Sequence, residues 1–194
     1  QQTVNNPDRS QKNLGVLRNL REILYLDKLG RWRIDKGVTM SLTGRPSVGE
    51  APFEPQELFF SRTDERGVIQ AANSVFQRVS NYPWDDLIGA PQKLIRHPDM
   101  PRAIFWLLWQ SISDGRPIGA YVKNKARDGL HYWVFAIVTP IDGGYLSTRI
   151  KPSHKILPLI ETEYAALRAQ ELAEEIAPAE SAAILLNRLK AYFA

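Results

Sequence analysis

Cysteine is absent from this 194-residue chain. That excludes disulfides, thiolate metal ligands and thiol nucleophiles, and it fits a reducing compartment. Histidine is scarce, with 3 residues, and none stands at a spacing from Asp or Glu that would build a zinc site. Long hydrophobic runs are missing too. The longest nearly apolar stretch, Ala103 to Trp109, falls far short of the roughly 20 residues that cross a bilayer. No secretory signal is visible, and the chain opens on Gln1 rather than Met, as a processed or truncated chain would. The expected location is the cytoplasm, with any membrane anchor outside these residues. Charge of one sign is not concentrated either: 25 Lys and Arg against 21 Asp and Glu leave a net +4. The densest basic clusters, Arg31 to Arg33 and Lys123 to Arg127, have acidic neighbours, so a mixed solvated surface is expected and no nucleic-acid partner. Gly44-Arg45-Pro46-Ser47 is no phosphate loop, and the serines and histidines form no nucleophile motif. A non-enzymatic protein is expected.

What is present has the balance of a globular domain, with 44% hydrophobic and 24% charged residues. The length suits one domain with extensions. Residues 1–56 read as an N-terminal helical extension and linker. Leu17, Leu20, Ile23 and Leu24 recur at helical spacing over 13–29, Gly30 stands where a C-cap would, and 44–55 is rich in Pro and Gly. Residues 57–153 read as the core. Strands are expected over Glu57 to Thr63 and Val68 to Ala72, a short helix from Asn73 through Val79, and a single turn over Pro83 to Gly89. A longer helix follows from Pro101 to Ser113, then strands over Gly119 to Lys125, Leu130 to Val138 and Gly144 to Ile150. Asp128-Gly129 and Asp142-Gly143-Gly144 supply the hairpin turns. This order implies an α+β fold, with five antiparallel strands and short helices on one face. On the fourth strand Tyr132, Val134 and Ala136 alternate with His131, Trp133, Phe135 and Ile137. Both faces are therefore expected to be covered, one by a cavity and the other by a flanking helix or a partner subunit. Residues 154–194 read as a C-terminal helical extension. It carries a stripe of Ile156, Leu159, Ile160, Tyr164 and Leu167, and Pro178 opens its last helix.

Two local patterns carry more information than the periodicity. In Arg96-His97-Pro98-Asp99-Met100-Pro101, prolines stiffen a loop that holds a cation, a switchable group and an anion just before a helix. Arg96 could meet an anionic group there, while Asp99 either caps the helix or pairs with Arg96. Trp106 and Trp109 on that helix read as core. The second pattern is Lys123-Asn124, followed at loop distance by Asp128-Gly129 and His131-Tyr132-Trp133-Val134.

Together these two motifs resemble the PAS domain of bacterial aerotaxis receptors and PAS-containing chemoreceptors, over roughly Glu57 to Ser153. The resemblance implies a PAS fold and a sensory role in redox or oxygen signalling through bound FAD. It aligns Asn73, Arg96, His97, Asp99, Phe105 and Asn124 with cofactor-binding positions. The Asn124 amide offers both donors and an acceptor to an isoalloxazine edge. The resemblance also implies a chemoreceptor or histidine-kinase signalling partner, and a homodimer formed through the flanking helices or the sheet face. One position departs from the family pattern: Pro117 is followed by Ile118 where a Trp is usual, and an aromatic stack there would contribute about 0.5–1.5 kcal/mol beyond burial. Two alternatives stay open. One is haem held through His97, and the other is a cofactor-free adaptor for protein interaction or dimerisation.

Overall fold

The computed structural model describes residues 24–26, 32–34, 39–40 and 45–193, with side chains from 45 to 190. The chain divides into two compact units, 1–50 and 51–194. The first contains a small antiparallel sheet in the order β1 (Leu24–Leu26), β2 (Trp32–Ile34) and β3 (Thr39–Met40), with Tyr25 opposite Arg33 and Arg33 opposite Thr39. Most of the helix expected over 13–29 lies outside the described residues. Where it overlaps them the expectation is corrected, because residues 24–26 form a strand. Leu24 and Leu26 flank Tyr25 with a period of two as well as fitting the helical one, and pairing with a Trp- and Ile-bearing strand decides between them.

The second unit is built on a five-stranded antiparallel sheet in the order β5-β4-β8-β7-β6. Its strands are β4 (Phe59–Thr63), β5 (Ile69–Ala72), β6 (Ile118–Lys125), β7 (His131–Ile141) and β8 (Gly144–Ile150). Between β5 and β6 lie α1 (Ser74–Ser80), α2 (Trp84–Leu87), a 3-10 turn (Gln92–Ile95) and α3 (Arg102–Ser113). The strands and the short helices fall where their residue patterns place them. On β4 the alternation is strict: Phe59, Ser61 and Thr63 are buried while Phe60 and Arg62 are exposed. Phe59 stacks on Tyr132 with ring centroids 6.0 Å apart, and Phe53 meets Phe59 edge-on at 5.0 Å. These rings fix one end of the inner face.

Two helices complete the unit, α4 (Leu157–Ala173) and α5 (Pro178–Phe193). Tyr164 of α4 packs on Trp133, so α4 covers part of the sheet's outer face. The covering stops there. Ile137 and Ile150 remain 44% and 46% exposed, and Phe60 is exposed beside them. Of the two coverings expected for the outer face of β7, the flanking helix α4 reaches Trp133 and leaves Ile137 open.

Farther along, α4 reaches α3. Glu171, whose side chain is fully buried, accepts hydrogen bonds from the backbone N–H groups of Arg102 at 2.8 Å and Ala103 at 3.0 Å. It thus satisfies the first free amides of α3, the task usually given to a local N-cap residue. Ser181 of α5 donates its hydroxyl to the same carboxylate at 2.7 Å, and Arg168 approaches it at 3.2 Å. Burial pushes this carboxyl up, but its donors outweigh that and hold it below the usual range. Asp99, expected as cap or as the partner of Arg96, is neither. Its carboxylate takes a hydrogen bond from Lys123 Nζ at 2.7 Å, because Glu171 already fills the helix end.

Candidate functional site

A cavity of about 290 Å³ lies between the inner face of the sheet, the 3-10 turn and α3. Each wall has a local cause. The 3-10 turn is tied to the β4–β5 hairpin by Gln92 N–H, which donates to Gly67 C=O at 2.8 Å. The loop after it runs along the edge strand β6 as a one-residue ladder: Arg96 bridges to Asn124, and His97 N–H donates to Lys123 C=O at 3.3 Å. From α3, Phe105, Leu108, Trp109 and Ile112 face the cavity, while the floor comes from Val122, Asn124, Ala136, Val138, Ser147 and Arg149.

The lining is largely apolar, and three of its buried polar atoms are unsatisfied. Gln92 Nε2, Asn124 Nδ2 and Ser147 Oγ are buried and have no hydrogen-bond partner among the described residues. Asn124 is 3% exposed and Ser147 6%. Leaving a buried donor unpaired costs about 1–3 kcal/mol, so water or a polar ligand that reached these three groups would gain by completing their hydrogen bonds.

The structure brings together three of the six residues expected to form the site. Arg96, Phe105 and Asn124 line this cavity, with the Arg96 guanidinium carbon 3.4 Å from the Phe105 ring centroid at the rim. The other three stand elsewhere. Asn73 is the N-cap of α1: its Oδ1 accepts from Phe76 N–H at 3.1 Å, and its Nδ2 donates to Leu58 C=O at 2.7 Å. His97 lies outside the cavity, where its Nδ1 accepts the Asp99 N–H at 3.2 Å. Burial and Lys123 hold the His97 imidazole below its ordinary value against the opposing pull of Asp99. The Lys123 hydrogen bond keeps the Asp99 carboxyl low.

A second cleft of about 360 Å³ adjoins the mouth and shares Lys93, Arg96 and Phe105 with the cavity. His97, Arg102 and Arg168 also line it, so its charge is positive.

Sequence reasoning passed over Gln92, Ser147 and Arg149. Trp109 was expected in the core. Instead it is 37% exposed, lines the cavity and meets Tyr145 edge-on at 5.7 Å. Ile118, at the position that departs from the family pattern, opens β6 and does not line the cavity, so α3 supplies the indole wall.

Residues 69–147 match the PAS fold family. The chain carries a PAS domain. Over 130 residues, 64% of this chain and 26% of the relative, it is 35% identical to the aerotaxis receptor of Escherichia coli (strain K12). The nitrogen fixation regulatory protein of Klebsiella pneumoniae is 28% identical over 113 residues, 56% of this chain and 23% of that protein. The chain thus spans about a quarter of the length of these relatives. Among solved structures, the light state of the blue-light photoreceptor Aureochrome1 LOV superposes with a TM-score of 0.47 at 23% identity, over 54% of this chain and 88% of that one. No helix among the described residues is long and apolar enough to cross a membrane.

Proposed function

We propose that this aerotaxis-receptor-type PAS domain is a cytoplasmic redox sensor that holds FAD and signals through its C-terminal helices. The carrying observation is the set of unmatched polar groups, Gln92 Nε2, Asn124 Nδ2 and Ser147 Oγ, around an otherwise apolar cavity. A volume of about 290 Å³ lies at the lower end of small-molecule pockets, about 300–1,000 Å³. That suits one ring system rather than a whole dinucleotide. Asn124, Gln92 and Ser147 would meet the polar edge of the ring, with Phe105 and Trp109 beside it. The positive cleft at the mouth, with Lys93 and Arg96, would take the diphosphate. His97 stands outside the cavity with its Nδ1 engaged, which favours flavin over haem.

A bound flavin supplies reversible electron uptake coupled to protonation of its ring. The protein's part is to hold the ring dry, match its edge and pass on the change. Phe105 and Trp109 belong to the helix whose N-terminus Glu171 clamps, so a shift of α3 alters the footing of α4 and α5. Two packings of those helices would then be differently populated in the two redox states. The output partner is a chemoreceptor or histidine-kinase assembly, and the open apolar strip of Phe60, Ile137 and Ile150 is where a second copy would pack. The same strip is the observation that favours the rival reading, a cofactor-free adaptor for protein interaction.

Titrating FAD while following flavin fluorescence separates the two readings. The sensor reading expects saturable one-to-one binding, weakened about tenfold in Asn124→Ala for the loss of one buried hydrogen bond. No saturation in the wild-type protein supports the adaptor.

A further inference from the structure

Arg149 is a buried cation with no carboxylate partner among the described residues. It stands on β8, 5% exposed, on the floor of the cavity. Its two terminal nitrogens both donate to Ser61 Oγ, at 3.0 and 3.1 Å, and its guanidinium carbon lies 5.1 Å from the centroid of the Phe76 ring. Among the described residues no carboxylate pairs with it. Glu171, the buried carboxylate of the same unit, faces the cations Arg168 and Arg102. Burial lowers the Arg149 guanidinium to about 10, so it remains charged at neutral pH. An unpaired charge in the interior is strongly unfavourable unless something completes it.

The hydrogen bonds around Arg149 all run one way. Arg149 donates to Ser61, Ser61 Oγ donates to Gln92 Oε1 at 3.3 Å, and Gln92 Nε2 finds no acceptor among the described residues. Asn124 Nδ2 is a second unmatched donor lining the same cavity. A guanidinium presents five N–H groups and no acceptor, so the floor has a surplus of donors as well as a net positive charge. The ligand that balances it brings acceptors and negative charge.

We propose that Arg149 selects the charge state of the ligand: with a flavin in the cavity, it favours the reduced, singly negative ring over the neutral oxidised one. This rests on the flavin reading above. The step takes two electrons from an external reductant, dithionite in the assay below, and one proton from solvent onto the ring's N5. The ring gains one negative charge, and no bond to the protein forms or breaks. Arg149 holds its position in both states and is a specificity-determining residue through its charge.

The test is the midpoint potential of the full chain loaded with FAD, read spectrally against a reference dye during dithionite titration. The wild-type bound couple should lie above that of free FAD at the same pH. Arg149→Gln should lower it by about 30 mV or more, a tenfold loss of preference for the reduced form in a two-electron couple. Arg149→Lys should retain most of the wild-type value. A wild-type couple at or below free FAD, or equal potentials in wild type and Arg149→Gln, overturns the proposal. If Arg149→Gln fails to fold or to hold FAD, the comparison of wild type with free FAD decides alone. A wild-type chain that takes up no FAD overturns the flavin reading and this proposal together, whereas FAD uptake with an unshifted potential overturns this proposal only.

Discussion

Replacing Glu171 with alanine should loosen both C-terminal helices from the PAS core. The carboxylate accepts from two backbone amides at the start of α3 and from the Ser181 hydroxyl, and it faces Arg168. Loss of a helix cap alone costs about 0.5–2 kcal/mol, and removing one partner of a buried ion pair about 3–5 kcal/mol. The Arg168 and Arg102 side chains are 26% and 45% exposed, so water recovers part of their hydration in the variant. About 3 kcal/mol is therefore expected for Glu171→Ala. Glu171→Gln keeps one acceptor oxygen and should lose about 1–2 kcal/mol. Urea denaturation measures both as a shift of midpoint at constant slope, and limited proteolysis between α4 and α5 reports the local loosening. A loss under about 1 kcal/mol in Glu171→Ala, with unchanged proteolysis, would refute the clamp. The pH dependence has a definite sign. The folded carboxyl is held low, so its contribution is full above the unfolded carboxyl value near ~4.3. It fades as the pH falls through the lower folded value. Glu171→Gln should remove that part of the acid destabilisation.

Two further substitutions separate fold from site. Asn73→Ala should cost about 0.5–2 kcal/mol as a lost helix cap, measured by thermal unfolding, and the folded fraction should bind FAD as wild type does. Weakened binding by a fully folded variant would place Asn73 in the site after all. Gly144→Ala should destabilise the domain by at least about 1–3 kcal/mol. Gly144 has φ +152°, and a Cβ there would lie 2.0 Å from Thr63 C=O, between β8 and β4. Unchanged stability by urea denaturation would contradict that close approach.

Much of the core was legible because its signals are local. Asp128-Gly129 and Asp142-Gly143-Gly144 mark the β6–β7 and β7–β8 hairpins, and Asn73 marks a helix start. What escaped depends on distant partners. Glu171 caps a helix 69 residues earlier, and no local pattern in α4 announces that. Arg149 escaped because β8 inverts the usual rule. Ser147 and Arg149 face inward while Ile150 faces out, so a charged residue in a strand reads as surface until its register with Phe59 and Ser61 is known. The inversion was itself the available signal: polar residues sharing the parity of a buried face belong to a cavity rather than to a packed core. The motif residues show the opposite limit. Arg96 and Asn124 meet at the cavity through a backbone bridge, while His97 and Asp99, one and three positions after Arg96, lie outside it: the Asp99 N–H donates to His97 Nδ1 and Lys123 Nζ donates to the Asp99 carboxylate.

The most direct test is the absorption spectrum of the freshly purified protein, with the supernatant after denaturation checked for released cofactor. The account predicts the visible bands of an oxidised flavin and FAD in the supernatant. A featureless spectrum that stays so after incubation with FAD would contradict it.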